Sequence, residues 1–273
     1  MDNPKAKIII FLALTSALSA IFWVLIIRAG SIGAEGGIYT RSAMWCPAIA
    51  AIITRLITQR NLRGMGWIPK TPKLLGLAFI LPFFYALPVY LLVWATGVGG
   101  FDPSRWAMQP GTSPVTGILL ILSLGAIKSL LFTTGEEIGW RGLLVPELAK
   151  TTSFRNTALI SGLIWAAWHM PLILGADYRG QGTPLVYSIL CFTAMAVALS
   201  FIMAWITIKS GSLWPAALLH ATHNLFVQAV FDSATVEKAS THWWIGEFGA
   251  GLVITISIAA FVILRVSKPQ PSS

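Results

Sequence analysis

The stretch "IIIFLALTSALSAIFWVLII", residues 8–27, runs for twenty residues without a charge. That is the length a helix needs to cross about 30 Å of hydrocarbon at a rise of about 1.5 Å per residue. Lys5 and Lys7 precede it, as in a signal peptide, but the run outlasts the roughly 7–15-residue apolar core of such a leader, so it reads as an uncleaved anchor. The remainder of the chain has the same character. Of its 273 residues, 56% are hydrophobic and only 11% charged, against roughly a quarter charged in an average soluble domain. With the first run taken as about 7–27, further uncharged runs fall at about 42–58, 74–96, 117–148, 156–174, 184–208, 213–231 and 243–264. They predict an all-α, polytopic membrane helix bundle of about eight transmembrane helices, forming a single transmembrane domain over 1–273. Pro47 and Arg55 make the second run the weakest, and Glu247 stands near the start of the eighth. Pro82 and Pro88 kink the third, where neighbouring helices must re-satisfy the freed carbonyls.

The net charge is +9, which invites a nucleic-acid reading until its distribution over the loops is considered. Eight spans leave both termini on one side. That side carries Lys5, Lys7, Arg60, Arg63, Lys70, Lys73, Arg141, Lys150, Arg155, Lys209, Arg265 and Lys268, and the other only Arg28, Arg41, Arg105, Arg179 and Lys238. The positive-inside rule then places both termini in the cytoplasm. The surplus charge is topology, and no nucleic acid is called for. The basic loop "RNLRGMGWIPKTPK", 60–73, reads as a solvated connection, with a patch for anionic lipid headgroups as its alternative. The tail "KPQPSS", 268–273, reads as disordered. Cys46 and Cys191 lie in apolar runs outside any metal or redox motif. Short loops and the lack of an organellar signal point to a multi-pass protein of a prokaryotic plasma membrane.

Ionisable residues within spans are expensive, and each one is a functional hypothesis. Lys128 sits near the far interface, where a lysine snorkels, and Arg55 reads as a similarly plain cation at the cytoplasmic edge. The pair Glu136 and Glu137 is different. Glu136 lies 14 residues before Lys150 and His169 lies 14 residues after Arg155. On an antiparallel helical hairpin those offsets, about 21 Å each, bring the two side chains to one depth. In the seventh run, His220 and Asn224 share a helix face at i and i+4, and Pro215 suits a first turn. Glu137 and Arg141, also i and i+4, form a favourable helical ion pair that neutralises the second carboxylate and leaves Glu136 for chemistry. His223 fits no such spacing and reads as a helix-to-helix hydrogen-bonding group. His242 reads as an inert loop residue, and most tryptophans, Trp23, Trp94, Trp243 and Trp244 among them, as an interfacial belt.

Three segments, "EEIGWR" (136–141), "WAAWH" (165–169) and "HATHN" (220–224), resemble the EExxxR, FxxxH and HxxxN motifs of the CAAX protease and bacteriocin-processing family of intramembrane proteases. They occur in the same order and on the fourth, fifth and seventh spans. The resemblance covers about 115–230, which marks the catalytic core. It implies an intramembrane endopeptidase that acts on membrane-embedded or membrane-proximal peptides, CAAX-type or bacteriocin-like, admitted from the cytoplasmic side. It further implies a catalytic set of Glu136, Glu137, His169, His220 and Asn224, with Arg141 and Trp165 in support. Trp165 stands where the family has Phe, an exchange expected to alter packing beside His169 rather than chemistry. His223 replaces a common Asn and adds an imidazole that competes as a ligand.

Peptide hydrolysis needs an activated water, a stabilised oxyanion and a proton for the leaving amine. Glu136 suits general base and then acid, His169 the orienting or deprotonation of the water, and His220 with Asn224 the oxyanion. Glu136, His169 and His220 also match the two-His, one-Glu ligand set of catalytic zinc sites, so zinc or another divalent metal and a metal-free glutamate mechanism both stand. The rival classes are a transporter or ion pathway, disfavoured because the polar residues gather in the fourth to seventh spans without a repeat, and a catalytically silent immunity-type membrane protein.

Overall fold

The computed structural model describes residues 3–107 and 111–266, and the segment expected to be disordered, 268–273, lies outside them. Among the described residues eight long helices follow the eight apolar runs. They are α1 (Pro4–Ala29), α2 (Ile38–Gln59), α3 (Pro72–Ala95), α4 (Pro114–Ala149), α5 (Phe154–Gly175), α6 (Leu185–Ser210), α7 (214–232) and α8 (Ala250–Val266). Their ends carry local signals. Asn3 caps α1 by accepting from the N–H groups of Lys5 and Ala6, and Ser153 caps α5 through Asn156. Gly30 ends α1 with a left-handed φ of 75°.

Five helices, α1, α3, α4, α5 and α6, are long and apolar enough to cross a membrane, so the chain is an all-α polytopic bundle. The other three fall short of that measure. α2 carries Arg41 and Arg55, α7 carries the polar residues of the third motif, and α8 has 17 residues. A small antiparallel ribbon, β1 (Gly100–Phe101) with β2 (Thr235–Val236), ties the α3–α4 and α7–α8 connections together on the face away from Pro4. The spacing of apolar residues gave no sign of it.

Small and hydroxylated residues set how the helices approach. Gly135 and Gly139 on α4 lie one turn apart and face α2. A β-carbon at Gly135 would stand 2.8 Å from the Met44 carbonyl oxygen, and one at Gly139 would stand 2.5 Å from Pro47 Cβ. This small-xxx-small contact draws the backbone of α2 against the two glutamates. On the other side of α4, Ser129 donates to the Ala221 carbonyl of α7 at 2.9 Å. Pro82 lacks the N–H that would bond the Ala78 carbonyl one turn before it. The Thr222 hydroxyl of α7 lies 3.0 Å from that carbonyl and 2.8 Å from the Leu218 carbonyl of its own helix, so the group within reach of the freed α3 carbonyl belongs to the third motif. Replacing Gly139 with alanine should therefore destabilise the bundle by about 1–3 kcal/mol. Gly76→Ala, where an added β-carbon meets nothing within 4 Å, should be neutral or stabilising in the same thermal unfolding measurement.

Two cations differ from their sequence reading. Arg55 is not a plain edge residue but is buried, with Nη1 at 2.9 Å from Glu147 Oε1 and 2.8 Å from Gln59 Oε1. Arg141, counted among the loop charges, lies inside α4 and is 1% exposed. Apolar runs do not tell which flank of a helix meets protein and which meets lipid, and both arginines lie on protein-facing flanks.

Candidate active site

α4, α5 and α7 bring the three motifs together. Glu136 on α4, Trp165 and His169 on α5, and His220 and Asn224 on α7 all line one cavity of about 150 Å³. α4 and α7 both leave regular α geometry here. Trp140–Leu144 of α4 and Leu225–Asp232 of α7 are π-helical, so Arg141 sits within one such turn and Asn224 at the edge of the other. Segments of this kind are frequent at functional sites because the widened turn re-aims side chains.

Glu136 is 2% exposed, and its Oε2 accepts the indole N–H of Trp165 at 2.9 Å. This corrects the expectation that Trp165 only alters packing, since a phenylalanine has no donor for that carboxylate. Glu137, turned away by the helical rotation of about 100° per residue, does not line the cavity. Its Oε1 accepts Arg141 Nη1 at 3.0 Å and His220 Nδ1 at 2.9 Å. The i, i+4 ion pair read from the sequence is therefore present, and it has a second partner that spacing did not show. Arg141 also donates to Ser200 Oγ on α6 at 3.2 Å and lies 4.9 Å from the Trp165 ring centroid.

The two imidazoles are oriented alike. His169 Nδ1 lies 2.8 Å from the Trp165 carbonyl, an acceptor only, so Nδ1 carries the proton and Nε2 holds a lone pair in the neutral ring. His220 Nδ1 faces a carboxylate and follows the same logic. Each ring is thus fixed through Nδ1. Asn224 Oδ1 is buried without a hydrogen-bond partner, an unmet polar group that a substrate or water would satisfy.

The fit to a metal is incomplete. Nδ1-anchored histidines are the form that ligates through Nε2. Among the described residues, however, no three His, Cys, Asp or Glu groups stand close enough to hold one ion. Glu136, His169 and His220 share a cavity without forming a coordination shell.

Residues outside the motifs complete the walls. Tyr178 and Glu247 come from the α5–α6 and α7–α8 connections, and Ile32 from the α1–α2 connection. Glu247 Oε2 accepts the Tyr178 hydroxyl at 2.7 Å, and Oε1 lies 3.6 Å from His223 Nε2. Burial pushes the Glu247 carboxyl up, but the His223 ring and the Tyr178 hydroxyl outweigh this and hold it below the ordinary carboxylate range. Glu247 was visible in the sequence as an acid at the head of the eighth apolar run, and its cost there was the signal. His223 does not line the cavity. Its Nδ1 pairs with the Tyr85 hydroxyl at 2.7 Å, so it acts between helices rather than as a competing ligand. His242 pairs with Glu237 at 3.1 Å outside this cavity.

The connections that close the cavity lie on the face opposite to Pro4 and Val266. Beside the cavity runs an apolar groove of about 620 Å³ between α4 and α7, which shares Met44, Asn224 and Gln228 with it and has Lys128 on its wall.

Comparison with known proteins returns the same region. A family model described as "Type II CAAX prenyl endopeptidase Rce1-like" matches residues 113–226. The protein described as "CAAX prenyl protease 2" from Methanococcus maripaludis is 28% identical over 160 residues, 56% of this chain and 57% of that relative. The similarity thus spans little more than half the length of each.

Proposed function

We propose, from the match of residues 113–226 to the CAAX prenyl endopeptidase model and the similarity to a CAAX prenyl protease, that this chain is a CAAX-family intramembrane endopeptidase that hydrolyses peptide bonds of membrane-embedded or membrane-proximal substrates. The observation that supports this most is the convergence of Glu136, His169, His220 and Asn224, from three helices, on one cavity. A CAAX-type or bacteriocin-like peptide is the substrate class that follows from the family, and a prokaryotic plasma membrane is the location proposed for it. The groove between α4 and α7 offers an apolar segment a route from the bilayer to Asn224.

In this reading Glu136 takes a proton from water, and the resulting hydroxide attacks the scissile carbonyl carbon. His169, anchored through Nδ1, accepts a hydrogen bond from the water at Nε2 and sets its direction of approach. The Asn224 amide donates to the developing oxyanion. When His220 carries both protons, Nε2–H joins it while Glu137 Oε1 accepts Nδ1–H. Protonated Glu136 then gives its proton to the leaving amine as the C–N bond breaks, which regenerates the carboxylate. A zinc ion, if bound, would draw on Glu136, His169 and His220 and would supply Lewis acidity.

The reading is tested with the full chain in liposomes, a labelled membrane peptide and mass spectrometry of the products, alongside a metal analysis of the same preparation. Scission at a defined bond is expected, and ion flux without scission would transfer the site to the transporter class. Trp165→Phe keeps an aromatic ring but removes the donor to Glu136. A hydrogen bond to a charged acceptor contributes about 1.5–3 kcal/mol, so kcat should fall by about 10- to 100-fold while the unfolding midpoint stays close to that of the parent. An unchanged kcat would return Trp165 to a packing role.

A further inference from the structure

Lys128, Phe132 and Glu136 follow one another at i, i+4 and i+8 along the α-helical stretch Ala126–Gly139 of α4. Glu136 lines the cavity, while Lys128 and Phe132 line the adjoining groove between α4 and α7. Met44, Leu124 and Leu225 make the groove largely apolar, and among the described residues that line it Lys128 alone is charged. The Arg41 guanidinium of α2 lies 5.5 Å from the Phe132 ring centroid, so this wall gains a second positive charge rather than an acid. Among the described residues no carboxylate forms an ion pair with Lys128 or Arg41.

Snorkelling carries a lysine past lipid to water. It does not account for an exposed cation set about two helical turns from Glu136 on the same flank. The neighbouring hydroxyl, Ser129 Oγ, is committed to the Ala221 carbonyl at 2.9 Å, so it does not serve the ammonium. Against apolar walls and lipid an ion pair is screened less than at a water-covered surface. The groove is therefore complementary to an occupant that is apolar along its length and carries one anion, and the anion of a peptide is a carboxylate. Eight positions separate Lys128 from Glu136, about 12 Å at helical rise. An extended peptide covers that distance in about three to four residues, at about 3.3–3.6 Å each.

We propose that Lys128 is a specificity-determining residue, which pairs with a carboxylate of the peptide lying in the groove, about three to four residues from the bond that is cut. The proposal rests on the hydrolase reading for the position of that bond. It also gives Lys128 a duty that its sequence context assigned to snorkelling alone.

The test uses the full chain in liposomes and a labelled, otherwise neutral membrane peptide through which a single Glu is moved residue by residue. A second pair of peptides ends in a free carboxylate or in an amide, which tells a side-chain carboxylate from the chain terminus. Binding is read by fluorescence on the Glu136→Gln protein, and cleavage on the parent. One placement of the carboxylate should bind about tenfold more tightly than the neutral peptide. In cleavage it should fall three or four residues from the cut and act through KM rather than kcat. Lys128→Met should lose the preference, and Lys128→Glu should transfer it to a peptide with Lys at the same place, a reversal that no loss of folding produces. Binding with this preference but without scission would keep the carboxylate site and remove the hydrolase reading. Scission with no preference for any carboxylate, or a preference that survives in both Lys128 variants, would overturn the proposal and leave the hydrolase reading in place.

Discussion

Glu136→Gln should reduce turnover by at least about 10³-fold, which corresponds to about 4 kcal/mol of lost transition-state stabilisation, and leave the bundle folded. The amide has the shape of the carboxylate and still accepts the Trp165 indole N–H through its oxygen, seen now at 2.9 Å. It cannot take a proton from water or return one to the leaving amine. General acid–base catalysis by one positioned group contributes about 10²–10⁴-fold, and here one group serves both transfers. The unfolding midpoint should remain near the parent value, because removing a buried charge relieves a desolvation cost as the hydrogen bond weakens. Turnover within tenfold of the parent, in protein with that midpoint, would move the proton transfers elsewhere. Glu247 is the first place to look, as the other carboxylate on the cavity wall.

The sequence made this experiment possible and left other parts hidden, for reasons that lie in the bilayer. Lipid demands uninterrupted apolar length, so the eight helices could be located from the chain alone, and five meet that demand outright. Lipid also erases the contrast that marks a buried face in a soluble protein. Arg55 and Arg141 thus read as edge charges although both are buried. Equal offsets from the α4–α5 turn were enough to pair Glu136 with His169. The Trp165 bond to Glu136 depends on a side-chain rotamer that no spacing encodes, and the contact from His220 to Glu137 arises on helices 83 residues apart. Glu247 and Tyr178 reach the cavity from connections with no period to read. The two-residue ribbon is likewise too short for alternation to show.

The largest effect on stability should come from Arg141→Leu, at a residue whose functional interest is easily overlooked because it never touches the cavity. Glu137 is fully buried, and Arg141 and His220 are the partners of its Oε1, while Oε2 has none. Removing the arginine leaves a buried carboxylate facing one imidazole and also deletes the link to Ser200 and the contact with the Trp165 ring. Breaking a buried pair in this way costs about 3–5 kcal/mol, much of it the penalty of the stranded charge rather than the net value of the pair. The double variant Glu137→Gln/Arg141→Leu removes that charge and should recover more than half of the loss, a coupling of about 2 kcal/mol in an unfolding cycle. Turnover should not recover with it. With a neutral amide at position 137, the carboxylate that fixes the His220 ring through Nδ1 is gone, and His220 no longer presents Nε2 to the oxyanion in a defined protonation state. Stability regained without activity would separate the two duties of Glu137, holding Arg141 in the bundle and holding His220 for the reaction. Additive losses in the cycle would mean that Arg141 acts through α6 and Trp165 instead, and that the charge pair is incidental.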